Sequence, residues 1–442
     1  MGDDSHMIYA PRASLDTDFE RNYIMDIKRK LSSIYEYIKE FDYYFLAILL
    51  CIAVFFWIIG AFTGMWPGDS NSYNSFALQA DSWLHGRLDL GQDYEWLELA
   101  IFEGKYFVSF PPFPSYILLP FAVFCGANTP DNIINSIVTV IGAIYAYKLS
   151  LKVLGSERKS LAFLFTMILY LGSNTMFFIA NGWVWFMAQN FSFTLTIMAV
   201  YYAHKACPGW SLFFWACAVG CRPFQILYFP VLLILMINTW KKNERDFKIV
   251  KKIKSDWYKA IPCFIVALSY FILNYARFGN IFEFGHNYLP EFTRTETGQF
   301  NLAYLKGNLA NMFRLPELIE ETGKMNFFTY DGVAFWLVNP IIVLFIIVII
   351  YKLVKSRDKK LAIGLTILAL LIIHVVVLCL HRTLGGWHFG NRYTCDTLPI
   401  VLFGTLICMP KSEKFKPVVY VIFIFGFALN LLGTVSAYNH WI

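Results

Sequence analysis

The sequence predicts an all-α polytopic membrane protein with about eleven transmembrane helices. Three observations lead to this prediction. Of the 442 residues, 57% are hydrophobic and only 15% are charged, whereas soluble globular proteins carry roughly 25% charged residues. Apolar runs of about 18 or more residues recur along the chain, as transmembrane helices require. Clusters of lysine and arginine separate these runs, as they do in the cytoplasmic loops of membrane proteins.

The basic clusters predict an orientation. Lys28, Arg29 and Lys30 precede a first span at about 43–63, which puts the N-terminal segment 1–42 in the cytoplasm. Residues 1–7, MGDDSHM, resemble the remnant of an added tag and are set aside. The other basic clusters are 241–259, 352–360 and 411–416.

Further spans are predicted between the basic clusters, within a single transmembrane domain at 43–442. They lie at about 259–276, 333–351, 361–380, 396–410 and 417–437. Their alternation leaves three outer loops, 64–109, 277–332 and 381–395. The first loop is long and acidic, the opposite of the basic inner loops, and this difference supports the orientation.

Residues 110–240 admit two crossing patterns, both with an odd number of spans. In one, 211–240 is a single kinked span and Arg158 lies outside. In the other, 110–126 enters the membrane only partly and the later stretch divides at Arg222-Pro223. This second pattern puts Arg158 inside and Arg222 near the outer surface, and it agrees better with the positive-inside rule.

The stretch GMWPGDSNSYNSF, residues 64–76, places Asp69 just beyond the first span. Asp69 fits a helix N-cap, because Ser70 to Leu84 has the periodicity of an amphipathic helix lying on the membrane. It also fits a functional role, because loops beyond about 15 residues tend to be functional. Both interpretations stay open at this point.

The chain resembles the GT-C integral membrane glycosyltransferases, including protein O-mannosyltransferases and the lipid A aminoarabinose transferase. The resemblance rests on Asp69 and on three segments, GKYFVSFPPFP, RFGNIFEFGHNY and WHFGNRYTCDTLP, in that order along the chain. It implies an enzyme that takes a sugar from a polyprenyl-phosphate carrier and transfers it to a hydroxyl outside the cytoplasm. It also implies that Asp69 is the general base of an inverting displacement, a reaction that needs one proton acceptor.

Positive charge must hold the phosphate as it leaves. Arg392, in the third outer loop, is the first candidate, because a guanidinium binds phosphate oxygens in a bidentate fork. Arg222 is the second candidate, because an ionisable residue between apolar segments is functional by default. The alternatives are an interfacial anchor for Arg392 and a buried ion-pair partner for Arg222.

The resemblance to the aminoarabinose transferase implies an acidic and a basic residue directly before the double proline, where this chain has Ser109 and Phe110. Glu103 and Lys105 are therefore predicted to replace them, Lys105 in phosphate binding and Glu103 in substrate binding. The remaining candidates for substrate binding are His286, His388 and Tyr393. Each histidine also fits a structural role.

No cofactor is expected, and a divalent metal stays open as the alternative. The first outer loop has no DxD pair that would hold such a metal, and none of the nine cysteines forms a CxxC pair. The expected partners are a polyprenyl-phosphate sugar donor, membrane lipids and an acceptor glycan, lipid or protein, with no nucleic acid. The expected location is a bacterial plasma membrane with the active site outside, or alternatively the endoplasmic reticulum.

Two other functions stay open. One is a transporter or flippase of lipid-linked glycan intermediates, although the chain lacks the internal repeats that transporters usually show. The other is a noncatalytic scaffold, which would need neither Asp69 nor Arg392.

Overall fold

Helices dominate the fold, because a backbone inside a bilayer satisfies its hydrogen bonds only within a helix or a closed barrel. The structure, a computed structural model, describes residues 42–244, 246–355, 358–410 and 415–441. From Ile48 onward the chain forms one compact unit. The predicted cytoplasmic segment, with Lys28 to Lys30, lies outside the described residues apart from Asp42, and so do 411–414 of the last basic cluster.

Among the described residues, six stretches are long and apolar enough to cross a membrane. They are Tyr43–Thr63, Asp131–Leu154, Pro223–Asn243, Ile249–Phe278, Lys359–Leu380 and Lys416–Tyr438. Shorter apolar helices lie at Phe113–Asn128, Lys159–Tyr170 and Pro208–Val219. The chain is an integral membrane protein, as predicted. The total of about eleven spans and the side that each loop faces stay predictions.

The N-terminal part of the described chain contains three helices and a hairpin. They are α1 (Tyr43–Thr63), α2 (Ser75–Leu84), β1 (Leu99–Phe102), β2 (Lys105–Val108) and α3 (Phe113–Cys125). Helix α1 has the predicted bounds. Helix α2 packs against α3 through a face that includes Phe76, Ala77 and Ala80.

The predicted start of the amphipathic helix at Ser70 is wrong, because α2 begins at Ser75. The carboxylate of Asp69 accepts a hydrogen bond from the backbone N–H of Trp66, and the side chain of Asn71 accepts one from the backbone N–H of Tyr73. Such local bonds hold a backbone in turns and compete with a helix. The residue before α2 is Asn74, so the interpretation of Asp69 as its N-cap is also wrong.

The β1–β2 hairpin departs from the all-α prediction. Its strands pair antiparallel, with Leu99 opposite Val108, and a turn at Glu103-Gly104 joins them. Both turn residues have positive φ, 50° and 74°, which is the backbone of the tight turns that suit hairpins. The short segment on each side of this turn folds as a strand.

The middle of the chain contains six helices. They are α4 (Asp131–Leu154), α5 (Lys159–Tyr170), α6 (Thr175–Ile179), α7 (Val184–His204), α8 (Pro208–Val219) and α9 (Phe229–Asn243). Helix α7 is largely buried and packs against both α4 and α8. It therefore presents its side chains to the interior of the protein.

The helix breaks between Val219 and Pro223, so 211–240 is not one continuous helix. Proline cannot donate a backbone hydrogen bond and ends the preceding helix. Gly220 lets Tyr270 approach closely, since a Cβ there would lie 1.9 Å from its hydroxyl oxygen. The break falls where the second crossing pattern divides the chain.

The C-terminal part contains the remaining helices and a second hairpin. They are α10 (Ile249–Asp256), α11 (Ile261–Phe278), α12 (Pro290–Thr293), α13 (Leu305–Phe313), β3 (Glu317–Ile319), β4 (Lys324–Asn326), α14 (Phe335–Val338), α15 (Pro340–Lys355), α16 (Lys359–Leu380), α17 (Leu398–Cys408) and α18 (Lys416–Tyr438). Helices α11 and α15 to α18 lie at the five predicted spans. A 3-10 turn at Arg392–Thr397 leads into α17.

Candidate functional site

Two cavities adjoin the loop between α16 and α17. The larger, of about 560 Å³, is the aromatic cavity, whose wall includes Trp183, Trp185 and Trp387. The smaller, of about 270 Å³, is the apolar cavity, whose wall includes Phe224, Phe282, Phe284 and Phe300. Four residues line both, namely Phe110, His286, His381 and Tyr393. The two cavities are therefore neighbours, and Tyr393 lies at their boundary.

The ring of Tyr393 contacts two guanidinium groups. Cζ of Arg222 is 4.4 Å from the ring centroid and Cζ of Arg392 is 4.6 Å from it. Both distances allow a cation–π interaction. Arg222 lines the apolar cavity and Arg392 lines the aromatic cavity. The structure thus brings three predicted site residues together at the boundary.

Asp396 pairs with Arg222. Nε of Arg222 lies 2.7 Å from Oδ2 of Asp396, and the side chains are 14% and 0% exposed. Gln189 of α7 donates from Nε2 to Oδ1 of Asp396 across 3.0 Å. Arg222 is therefore a buried ion-pair partner, as one interpretation of the sequence predicted, and it also lines a cavity.

Arg392 has no such partner. It is 2% exposed and donates from Nη2 to the carbonyl of Gly385 across 2.7 Å. Among the described residues, no carboxylate lies within ion-pair distance of it, and its Nε has no hydrogen-bond acceptor. Lost hydration lowers the pKa of Arg392, and the charge of Arg222 adds to this effect. An anion in the aromatic cavity would compensate this buried cation.

Glycines shape the loop that carries Arg392. Gly385 and Gly390 have φ values of 129° and 73°, which favour glycine. A Cβ on Gly390 would lie 2.8 Å from Nδ2 of Asn174, which donates to the carbonyl of Phe389. The loop is thus held against the residue that precedes α6. The 3-10 turn that follows directs Arg392 and Asp396 to the same region.

Of the predicted histidines, His286 lines both cavities and His388 lines neither. Lost hydration lowers the pKa of His286 to about 3, and the neighbouring His381 and Arg222 add to the effect. His286 is therefore neutral near pH 7. His388 is fully buried, and its backbone N–H donates to the carbonyl of Thr329. Its position is that of a packed structural residue.

Asp69 is exposed and lines neither of the two cavities. Its carboxylate closes the turn with Trp66 across 2.7 Å, and its carbonyl accepts from Nδ2 of Asn132. The next residues, 70–73, line a third cavity of about 230 Å³. This cavity shares Tyr73 and Trp183 with the aromatic cavity. Asp69 thus lies beside the site rather than in its wall, and its role as base stays a prediction.

Glu103 and Lys105 lie at the tip of the β1–β2 hairpin and are exposed. Neither residue lines the aromatic or the apolar cavity. The turn carries them away from Ser109 and Phe110, whose places they were predicted to fill. Ser109 and Phe110 themselves line the apolar cavity.

The structure adds functional candidates that the sequence interpretation missed. Glu98 and Glu291 line the aromatic cavity, and Asp396 and Gln189 connect the two arginines. Asp396 had a signal, since it lies in the quoted segment WHFGNRYTCDTLP at the start of an apolar span. Glu98 had none, because nothing local distinguishes it from its acidic neighbours in the first outer loop.

Within the described part of the chain, no group of three or more His, Cys, Asp or Glu side chains could hold a metal ion. The side chains that meet at the boundary of the two cavities are cationic and aromatic. Such groups suit an anion and a ring-shaped ligand, whereas divalent cations prefer several carboxylate or carbonyl oxygens.

Comparisons with known proteins find similarity among solved structures. No family model and no curated protein sequence matches the chain. Among solved structures, the chain is similar to the apo crystal structure of an oligosaccharyltransferase from Archaeoglobus fulgidus, with a TM-score of 0.47 and 10% sequence identity. The match covers 90% of this chain and 56% of that one, so this chain spans little more than half the length of the archaeal enzyme.

Proposed function

We propose that the protein transfers a sugar from a polyprenyl-phosphate donor to a hydroxyl acceptor, with inversion at the anomeric carbon. One observation carries the proposal. A buried cation without an ion-pair partner, Arg392, lies with Arg222 and Tyr393 where a phenylalanine-lined cavity meets a tryptophan-lined one. Prenyl chain, phosphate and sugar would need these three environments in that order.

The apolar cavity suits the prenyl chain. Phe282 is 72% exposed and Phe300 is 46% exposed, so apolar rings continue from the cavity wall to the protein surface. Exposed apolar surface of this kind is suited to contact with lipid. A polyprenyl chain could leave the cavity past these rings without passing through water.

The aromatic cavity suits sugars. Indole rings offer flat apolar faces with a polar N–H at the edge, and sugar rings present matching apolar faces and hydroxyls. Trp185 lines this cavity with Glu98, and Trp183 and Trp387 lie with ring centroids 5.9 Å apart. Both the donor sugar and an acceptor glycan would find such contacts there.

The reaction needs only positive charge at the phosphate and one group that accepts a proton. The acceptor oxygen bonds to the anomeric carbon, the bond from that carbon to the phosphate oxygen breaks, and the bonding electrons leave with polyprenyl phosphate. Arg392 and Arg222 would stabilise the charge that develops on this phosphate. A carboxylate would accept the acceptor's proton, and the sequence predicts Asp69 for this role. We propose that the reaction needs no metal and occurs on the extracytoplasmic side of a bacterial plasma membrane, with the N-terminus in the cytoplasm.

The test uses the full chain in nanodiscs with a panel of radiolabelled farnesyl-phosphate and undecaprenyl-phosphate sugars, with and without EDTA. We expect chromatography to detect released polyprenyl phosphate, equally in both conditions. An Arg222→Gln/Arg392→Gln double variant should release none above background. If farnesyl phosphate competes with the radiolabelled donor no better than farnesol does, the proposed phosphate site is contradicted. Donor that crosses a vesicle membrane without being consumed would instead establish the transporter function.

A further inference from the structure

Glu98 is a carboxylate held in a fixed position in the wall of the aromatic cavity. Its Oε2 accepts a hydrogen bond from Nε1 of Trp185 across 2.8 Å, and its carbonyl accepts one from Oγ of Ser109 across 2.9 Å. The flanking Leu97 and Leu99 are buried. Strand β1 begins at the next residue, so the backbone beneath the carboxylate is ordered by the hairpin. These contacts orient Glu98 before any ligand binds.

The carboxylate of Glu98 is open to the cavity although protein surrounds it. The residue is exposed and lines the aromatic cavity. Trp185 occupies Oε2, and no described residue donates a hydrogen bond to Oε1. Oε1 is thus available to a hydroxyl group of a ligand.

Two other carboxylates near the cavities already accept hydrogen bonds from protein groups. Asp396 is buried against Arg222. Glu283, in the apolar cavity, accepts from the N–H of Gly285 with one oxygen and from Asn287 with the other. Their oxygens therefore serve the structure of the protein.

Glu291 also lines the aromatic cavity, but its carboxylate is not held as that of Glu98 is. Arg382 donates to the backbone carbonyl of Glu291, and among the described residues none donates a hydrogen bond to its carboxylate, whereas Trp185 orients the carboxylate of Glu98. Arg392, the group proposed to bind the phosphate, lines the same cavity as Glu98. We propose that Glu98 is the general base that deprotonates the acceptor hydroxyl, an inference that rests on the proposed function.

The step is balanced with one base. As the acceptor oxygen bonds to the anomeric carbon, its proton passes to Oε1 of Glu98, and the carbon–oxygen bond to the phosphate breaks. The electron pair of that bond leaves on the phosphate oxygen, whose charge Arg392 and Arg222 stabilise. Glu98 then gives the proton to water as the products depart. No oxidant, reductant or acid for the leaving group is needed.

The electrostatic surroundings suit a base. Lost hydration raises the pKa of Glu98, and the charge of Glu291 adds to this effect, while the Trp185 hydrogen bond and Arg392 oppose it. A general base works best with a pKa near the operating pH. The other titratable side chains in the wall of the aromatic cavity are Tyr73, His286, His381, Tyr330, Tyr393 and His440.

The test compares Glu98→Gln and Glu98→Asp with the matched control Glu95→Gln, an exposed acid of the same loop that lines neither cavity. The full chain in nanodiscs is given a radiolabelled donor that the wild type consumes. We expect Glu98→Gln to lower kcat by about 100-fold or more while binding farnesyl phosphate within about threefold of the wild type. Glu98→Asp should keep part of the activity. On the acid side of its pH–activity profile, the pH at which activity is lost should differ from that of the wild type. Glu95→Gln should match the wild type.

Three results would overturn the inference. Glu98→Gln could keep full turnover, it could lose farnesyl phosphate binding as much as turnover, or Asp69→Asn could abolish turnover while Glu98→Gln does not. The last result would make Asp69 the base. If the wild type consumes no donor in the panel, the proposed function fails, and the inference fails with it. That outcome is distinct from the other three, because each of them requires an active wild type.

Discussion

Nε of Arg222 donates to Oδ2 of Asp396 across 2.7 Å, at a point where neither side chain is more than 14% exposed. Both Arg222 of this pair and the unpaired Arg392 contact the ring of Tyr393. The two arginines therefore differ in electrostatic role. Asp396 already compensates Arg222, so most of the attraction for an incoming anion comes from Arg392.

Asp396→Asn is expected to destabilise the protein strongly. Removing one member of a buried ion pair leaves the other charge without compensation, which costs about 3–5 kcal/mol. The Arg314–Asp331 pair, in which Asp331 is 55% exposed, is the matched control, and Asp331→Asn should cost about 0–1 kcal/mol. Thermal unfolding in detergent would measure both. Equal melting temperatures for the two variants would contradict a stabilising role of the buried pair.

Arg392→Ala is expected to weaken the binding of farnesyl phosphate by about 10- to 100-fold, the range for a hydrogen bond to a charged group. Arg392→Lys should recover only part of this loss, because an ammonium lacks the bidentate fork. The binding of farnesol, which has no phosphate, should change little. Arg294→Ala, at an exposed arginine, is the control. If farnesol and farnesyl phosphate lose affinity equally, Arg392 contributes packing and not charge.

The long helices could be predicted from the sequence, because hydropathy and charge asymmetry extend over whole spans. Helix α1 has the bounds of its predicted span, and α16 and α18 differ from theirs by one or two residues. The start of α2 could not be predicted in this way. It depends on single hydrogen bonds that the side chains of Asp69 and Asn71 accept from backbone N–H groups, and these bonds compete locally with the helix.

Arg222 could be predicted because charge inside apolar sequence is rare and costly, and Arg392 because a guanidinium in an outer loop suits a lipid phosphate. Glu98 could not, because it lies in a loop with many acids and differs from Glu95 only in what the folded chain places around it. Trp185 is 87 positions away along the chain, yet it fixes the Glu98 carboxylate. Contacts of this kind depend on the tertiary fold and leave no local pattern.

His388 is expected to make the protein sensitive to acid. Lost hydration, together with the charge of Arg392, lowers the pKa of His388 to about 3 in the folded protein, from an ordinary 6.5. Between these values the unfolded chain binds a proton that the folded chain does not. Stability therefore falls as the pH drops from 6.5 towards 3, by about 1.4 kcal/mol per pH unit for this group.

The variant His388→Gln cannot take up that proton, so its stability should fall less steeply over the same pH range. Thermal unfolding measured at several pH values would give the slopes. His85→Gln, at a histidine whose side chain is 66% exposed, should leave the slope of the wild type unchanged. Identical slopes for the wild type and His388→Gln would show that His388 does not contribute to the loss of stability in acid.

Trp185→Phe is expected to move the acid limb of the activity profile to higher pH. The indole N–H stabilises the charged form of Glu98, so its removal raises the pKa of that carboxylate further. A base acts only when deprotonated, so activity should be lost at a higher pH while the alkaline plateau stays nearly unchanged. Trp96→Phe is the control, since its indole donates to the carbonyl of Ser72 instead. A lower plateau with an unmoved limb would mean that Trp185 contacts the sugar rather than tuning Glu98.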